Sequence, residues 1–173
     1  MKKILYILQY ILLKCLFLSF QLIPTNLVSI IGGFLFKYIG PFSKAHNVAV
    51  SNYKRIFPNL NKKEIDKNIN ECWEQLGRTF AEISILNKIL DKNNFKIKIT
   101  GKDILQNIKA KKQQVIFFGI HQANWELLPP VIDKFDIKLA AIYRHINNPY
   151  INKFILLIRK KTISSKESFY TPK

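Results

Sequence analysis

His121 and Glu126 are the side chains whose types and spacing predict acid–base chemistry. They follow an apolar run over 115–120 and lie five residues apart. Five residues of helix turn through about 500°, so the two side chains would lie roughly 140° apart and could not share a helix face. They can meet if His121 lies in the turn before a helix and Glu126 points back from its first turns. That carboxylate would hold the imidazole in one tautomer and make His121 a general base.

The same two residues also have a purely structural interpretation. A histidine at a strand end is often hydrogen-bonded locally, and Glu126 would then be a carboxylate on the protein surface. The position favours a functional site, because loops after strand ends in α/β sheets are where ligands usually bind. We therefore expect a buried strand over 115–120, a loop that carries His121, and a short helix from Asn124 onward.

The segments around this loop predict an α/β fold with parallel strands. Apolar residues alternate with polar ones over 95–100, which predicts a half-buried strand closed by Gly101. The run IKLAAIY over 137–143 predicts another strand. Helices are expected over 103–110 and 150–161. Strand–helix–strand order of this kind is typical of parallel pairing.

The preceding part of the chain predicts two further helices. The first covers 46–57 and ends at Pro58. Asn61 and Glu64 are spaced as the two partners of a capping box, which predicts where the next helix begins. That helix is expected over 64–90, because its apolar residues recur at helical spacing and form a stripe that faces a core.

The N-terminal segment over 4–23 is nearly all apolar and follows Lys2 and Lys3. It is long enough to span a membrane. A signal peptide is the alternative, but no small-residue cleavage site follows the apolar run, so we favour an uncleaved anchor. Lys14, near the middle, is costly in a true span and favours a tilted or interfacial helix. The two leading lysines favour a cytoplasmic N-terminus.

A second apolar stretch covers 27–42. It contains three glycines and Pro41, and is too short and too interrupted for a second membrane span. Two structures fit it, namely a re-entrant hairpin in the membrane or a helix that packs on the soluble domain.

The 173-residue chain is strongly basic, with a net charge of +17. Only four of its 28 basic residues are Arg, and this bias toward Lys makes the net charge a weaker sign of binding than its size suggests. No Asp or Glu precedes Glu64, so the leading part of the chain suits an anionic membrane surface. Nucleic acid is the competing partner, but the sequence has no zinc spacing, recognition-helix pattern or RNA-binding motif. Cys15 and Cys72 predict neither a disulfide framework nor a metal site.

The stretch GIHQANWELL, which contains His121 and Glu126, resembles the signature of glycerolipid-type acyltransferases. It is most similar to the lipid A late acyltransferases, the lauroyl and myristoyl transferases of Gram-negative bacteria. Further positions fit the same family: Asn52, Phe57-Pro58, Gly77-Arg78, Glu82, Tyr143-Arg144, Asn148-Pro149 and Arg159. One position departs from the pattern, since His145 stands where the usual residue is Pro.

The resemblance implies a fold, a reaction and catalytic residues. The fold would be α/β, with a membrane-anchoring helix over 1–23 and a partial acyltransferase-like sheet with flanking helices over 24–173. The reaction would move a fatty acyl group from acyl carrier protein to a hydroxyl of a lipid A precursor. This step of lipopolysaccharide synthesis would take place on the cytoplasmic side of the bacterial inner membrane. His121 and Glu126 would be catalytic, and no metal or cofactor would be required.

Substrate binding is expected of Asn124, Arg144 and Arg159. The two arginines fit the phosphates of a lipid or an acidic carrier protein, because Arg makes bidentate phosphate contacts. The alternative is a solvated cationic face. Members of the family continue beyond the stretch that this chain covers, so the resemblance also implies an incomplete C-terminus. An inactive, membrane-associated remnant is therefore the alternative to an active enzyme.

Overall fold

The structure, a computed structural model, describes residues 2–91, 97–164 and 169–170. Within these ranges the chain is mainly helical, and its helices are α1 Lys2–Gln21, α2 Thr25–Ile39, α3 Lys44–Ile56, α4 Lys62–Ile83, α5 Leu86–Ile89, α6 Lys102–Ala110, α7 Leu128–Asp133 and α8 Pro149–Lys161. Short 3₁₀ turns cover Gly40–Phe42 and Trp125–Leu127. The sheet in the described part pairs two short strands in parallel, β1 Ala141–Ile142 and β2 Phe169–Tyr170.

The predicted α/β sheet is not confirmed. No strand covers 115–120 in the described part of the chain, and the residues Ile116, Phe118 and Ile120 are 80%, 92% and 75% exposed, so the prediction of a buried strand there is wrong. A strand needs a neighbour for its backbone N–H and C=O groups, and no described strand lies beside this segment.

The other two predicted strands, over 95–100 and 137–143, are also not confirmed as expected. Over 137–143 only the two residues of β1 form a strand, so most of that prediction is wrong. The strand expected over 95–100 begins outside the described residues, and its described part, 97–100, is not in a strand. The tail over 165–168 and 171–173 also lies outside the described residues.

The helices predicted from local patterns are confirmed. α3, α6 and α8 each begin within two residues of their expected starts. α4 has the predicted capping box, in which the Asn61 side chain accepts the N–H of Glu64 at 3.0 Å and the Glu64 carboxylate accepts the N–H of Asn61 at 2.9 Å. It ends at Ile83 rather than at residue 90, because Ile85 leaves the helical conformation before α5 begins, with φ −117° and ψ 18°.

The chain divides into two compact units, one of Met1–Leu22 with Ser84–Lys173 and the other of Ile23–Ile83. In the second unit α2 crosses α4 so closely that a Cβ on Gly77 would collide with the carbonyl oxygen of Gly32. Glycine permits this because no side chain separates the two backbones. The second apolar stretch is thus a helix packed on another helix, and its glycines are contact points rather than interruptions.

Polar contacts join α2 to α4 on either side of the glycine crossing. On one side, Glu74 lies 2.7 Å from Arg78 Nη2 and 3.3 Å from Lys37 Nζ. The hydrogen bonds from Arg78, and then from Lys37, hold the pKa of the Glu74 carboxyl below its usual value. On the other side, the Ser29 hydroxyl donates to Glu82 Oε1 at 2.7 Å. These contacts fix the register of the two helices.

In the first unit α1 packs on α8. The ring of Phe154 lies 5.7 Å from that of Phe17 and 5.8 Å from that of Tyr10, measured between centroids. The buried residues of α1 are Leu13, Phe17 and Phe20. By length and composition α1 is also apolar enough to cross a membrane. The division into an anchor over 1–23 and a domain over 24–173 stays a prediction.

Replacement of Gly77 by Ala tests the glycine crossing. Gly→Ala inside a helix normally stabilises by up to about 1 kcal/mol, whereas a Cβ here would push α2 away from α4. We expect Gly77→Ala to lower the free energy of unfolding by about 1–3 kcal/mol, as overpacked sites do. Urea unfolding of the detergent-solubilised protein measures this change. The exposed Gln75→Ala in the same helix is the control, and a stabilised Gly77→Ala protein would contradict the close crossing.

The lowered pKa of Glu74 predicts a dependence of stability on pH. A carboxyl whose pKa is lower in the folded than in the unfolded state adds stability above its ordinary pKa, here 4.5, and loses it as the pH falls through the folded-state value. Glu74→Gln should therefore be less stable than the unmodified protein at neutral pH, and the difference should shrink below that ordinary value. Unfolding curves at several pH values measure this. The more exposed Glu71→Gln serves as control, and a difference independent of pH would refute the prediction.

Candidate active site

Glu126 is a buried carboxylate held by an arginine. Its side chain is 6% exposed, and that of Arg159 is 22% exposed. Arg159 Nε donates to Glu126 Oε2 at 2.8 Å, and Nη2 donates to Oε1 at 2.6 Å. This side-by-side geometry is the strongest form of an arginine–carboxylate pair. The pair joins the turn that follows His121 to the last turns of α8, across 33 residues of sequence.

The backbone before Glu126 is shaped by Asn124. The Asn124 side chain accepts the N–H of Glu126 at 3.1 Å and so begins the 3₁₀ turn over Trp125–Leu127. This confirms the expectation that a short helix begins near Asn124. Ala123, just before it, has a φ of 49°, a left-handed conformation that is uncommon outside glycine. The chain therefore bends sharply between His121 and Glu126.

His121 is exposed and lies beside Trp125. The centroids of their rings are 4.8 Å apart, with the ring planes inclined at 52°. Within the described part of the chain His121 makes no hydrogen bond to Glu126, whose oxygens accept from Arg159 instead. The expected direct contact between His121 and Glu126 is therefore not present in this structure. The catalytic assignment of the two residues stays a prediction.

The three residues expected to bind substrate have different surroundings. Arg159 pairs with Glu126, and its guanidinium carbon also lies 5.8 Å from the centre of the Tyr143 ring. Asn124 is part of the turn described above. Arg144 is exposed and has no ion pair to a described residue. The structure thus brings Asn124 and Arg159 together around Glu126, whereas substrate binding by all three stays a prediction.

The pairing of Glu126 with Arg159 was not predicted from the sequence. Two general facts could have suggested it: Arg is scarce in this chain, and a carboxylate that is buried needs a cation. Nothing in the spacing, however, joins position 126 to position 159. The sequence marks Asn148-Pro149 as the break before α8 and as part of the family pattern, and the structure adds that Asn148 caps α8 by accepting the N–H groups of Tyr150 and Ile151.

A metal site is not found in the described ranges, where no three His, Cys, Asp or Glu side chains gather as ligands. The arrangement that is present offers an exposed imidazole, a buried ion pair and an exposed guanidinium. Such a set can perform proton transfer and bind an anion. The expectation that no cofactor takes part stays a prediction.

Comparison with known proteins identifies the family. Residues 1–165 match the bacterial lipid A biosynthesis acyltransferases, a match that spans nearly the whole chain. The chain therefore belongs to this family, and its activity is of the acyltransferase kind, with a lipid A type of acceptor. No curated protein and no solved structure matches the chain significantly.

Loss of the arginine should destabilise the first unit. Arg159→Gln would leave the buried Glu126 carboxylate without its cation, which typically costs 3–5 kcal/mol at fully buried sites. We expect a loss of about 2–4 kcal/mol here, because the guanidinium is partly exposed to water. Urea unfolding measures the loss.

The matched test is the double variant Arg159→Gln with Glu126→Gln, compared with each single change, since it removes both charges. It should be more stable than the sum of the two single changes predicts, by at least about 1 kcal/mol. Lys160→Gln is the control on the same helix. Strictly additive effects would mean that the ion pair contributes nothing to the fold.

Proposed function

We propose that this chain transfers a fatty acyl group from acyl carrier protein to a hydroxyl of a lipid A precursor, with His121 as general base. The observation that carries the proposal is the family match over residues 1–165, which includes the His121–Glu126 motif. The exposure of His121 supports it, because a general base must reach the hydroxyl of a bound acceptor.

The chemistry of the proposed transfer balances without a metal or a redox step. A neutral imidazole nitrogen of His121 takes the proton of the acceptor hydroxyl while that oxygen bonds to the thioester carbonyl carbon. The tetrahedral intermediate then collapses and its C–S bond breaks. The departing thiolate of the carrier takes the proton back from the imidazolium, which restores the base.

Glu126 would orient His121 indirectly, by fixing the conformation of the turn that contains Trp125. Its carboxylate is bound by Arg159 and its N–H by Asn124, so the intervening Trp125 has a fixed position next to the imidazole. In this proposal the ion pair orients His121 by way of the Trp125 ring, and Arg159 has a positioning role rather than a contact with substrate.

Arg144 is the better candidate for substrate binding. It is exposed, and it makes no ion pair with any residue in the described ranges, so its guanidinium can meet an anion in solution. Lipid A precursors carry phosphate groups, and planar guanidinium groups bind phosphate with two parallel hydrogen bonds. We assign Arg144 to the phosphate of the acceptor or of the carrier protein.

Membrane attachment at the cytoplasmic face of the inner membrane completes the proposal. Helix α1 exposes large apolar side chains, among them Leu8 and Leu12, and begins with Lys2 and Lys3. An apolar face next to basic residues suits an anionic lipid surface. The acceptor is itself a lipid, so an enzyme held at that surface meets it without extracting it into water.

Mass spectrometry of lipid A tests the proposed reaction. A bacterial host that lacks its own late acyltransferase would express the unmodified chain or its His121→Ala form. We expect one added acyl chain with the unmodified protein and at least a 100-fold loss with His121→Ala, the lower end of the range for removal of a general base, ~10²–10⁴. His145→Ala is the control, because His145 is an exposed histidine in the same unit.

Both variants must also be shown to be folded and retained on membranes. Undiminished transfer by His121→Ala would refute the role of His121. A folded, membrane-bound but wholly inactive unmodified chain would refute the enzymatic proposal and favour the inert alternative.

A further inference from the structure

Helix α1 has a face that packs on the protein. Its members are spaced by three or four residues and include Tyr10, Leu13 and Phe17, which contact α8 or are buried. Tyr6 and Gln9 lie on the same side, at the N-terminal end. This stripe is the usual pattern of a helix docked on a globular unit.

The opposite face of α1 is apolar and exposed. Its large side chains are Ile4, Leu8, Ile11 and Leu18, with Cys15 among them. On a helix wheel this face lies about 180° from the packed stripe. Lys14 is on the flank between the two faces, and its ammonium group lies 5.9 Å from the centre of the Tyr10 ring. The charge therefore turns toward the protein and away from the exposed face.

Asn148 locks the packed face to α8. Its side-chain oxygen accepts the N–H groups of Tyr150 and Ile151, and its amide nitrogen donates to Tyr6 O at 2.9 Å and to Gln9 Oε1 at 3.0 Å. Asn148 is 4% exposed, and these four bonds use the whole capacity of its amide group. Only one orientation of the amide fits, because the helix N–H groups need an acceptor. α1 and α8 are thus bound as one body.

A membrane-spanning α1 conflicts with this attachment. Twenty residues of helix would reach through the whole hydrocarbon layer, about 30 Å, and any segment packed along α1 would share that depth. Lys153 precedes the packed Phe154 and is exposed, and residues 146–148 form irregular backbone at the Tyr6 end of α1. Lipid-exposed charges are expensive in hydrocarbon and lipid-exposed irregular backbone is not tolerated there.

We propose that α1 lies in the plane of one leaflet, with its exposed apolar face among the acyl chains of an anionic lipid surface and its packed face holding α8. Lys2, Lys3 and Lys14 then reach the headgroups. Because α8 carries Arg159, the buried ion pair of the candidate site is held at headgroup level, where a lipid acceptor presents its hydroxyl. The inference rests on the membrane attachment in the proposed function.

Spin labels along the exposed face distinguish an in-plane from a spanning helix. Both native cysteines are first removed by Cys15→Ser and Cys72→Ser. A single cysteine is then introduced by Ile4→Cys, Ile11→Cys or Leu18→Cys, and each labelled protein is bound to vesicles of phosphatidylethanolamine and phosphatidylglycerol. Collision with oxygen and with a nickel chelate gives the depth of each label. We expect the three depths to agree within about 4 Å. A spanning helix would instead place the Ile11→Cys label about 10 Å deeper than the other two, because seven residues of helix separate it from each of them.

The control and the second measurement use the same vesicles. Lys3→Cys on the flank should be shallower than Ile4→Cys beside it. An impermeant maleimide added outside sealed vesicles should label Ile4→Cys and Leu22→Cys to the same extent, because both ends of α1 lie on the same side of the membrane. A deep middle label, or ends on opposite sides, overturns the in-plane helix and leaves the proposed reaction untouched.

The remaining outcomes are also decisive. A protein that does not bind the vesicles overturns both this inference and the membrane part of the proposed function. Equal depths in a protein that transfers no acyl group would uphold the in-plane helix, since the depth measurement needs no activity, and only the lipid A assay would count against the enzyme.

Discussion

The buried carboxylate of Glu126 is the constraint on which the first unit depends. A carboxylate out of water needs a cation, and Arg159 is the residue that supplies it, with two hydrogen bonds. Arg159 lies near the end of α8, and α8 packs on α1. One ion pair therefore ties the turn after His121 to the helix on which α1 rests.

This chain of contacts connects the candidate site to the proposed membrane surface. Asn148 binds α1 at one end of α8, and Arg159 binds Glu126 toward the other end. A movement of α1 would thus be transmitted to the turn that carries Trp125. In the proposed enzyme, such a link would keep His121 at a constant height above the acyl chains.

The second unit depends on a different interaction, the direct contact of two helix backbones at Gly32 and Gly77. Several positions that carry the family resemblance have structural roles there. Gly77 allows the close crossing, Arg78 binds Glu74, and Glu82 accepts the hydroxyl of Ser29. The resemblance in this region therefore reflects how α2 and α4 are held together, and none of these contacts involves His121.

Local sequence patterns predicted α3, α6, α8 and the start of α4, because periodicity and the Asn61–Glu64 box act within a few residues of chain. The sequence also determined the family, through the short motif around His121. The packing of the helices is what pairs Glu126 with Arg159, and it leaves the apolar run over 115–120 with no strand beside it in the described residues. Both depend on segments far apart in sequence. An ion pair and a strand each need a partner whose position is fixed by how helices pack, and no local pattern encodes that position.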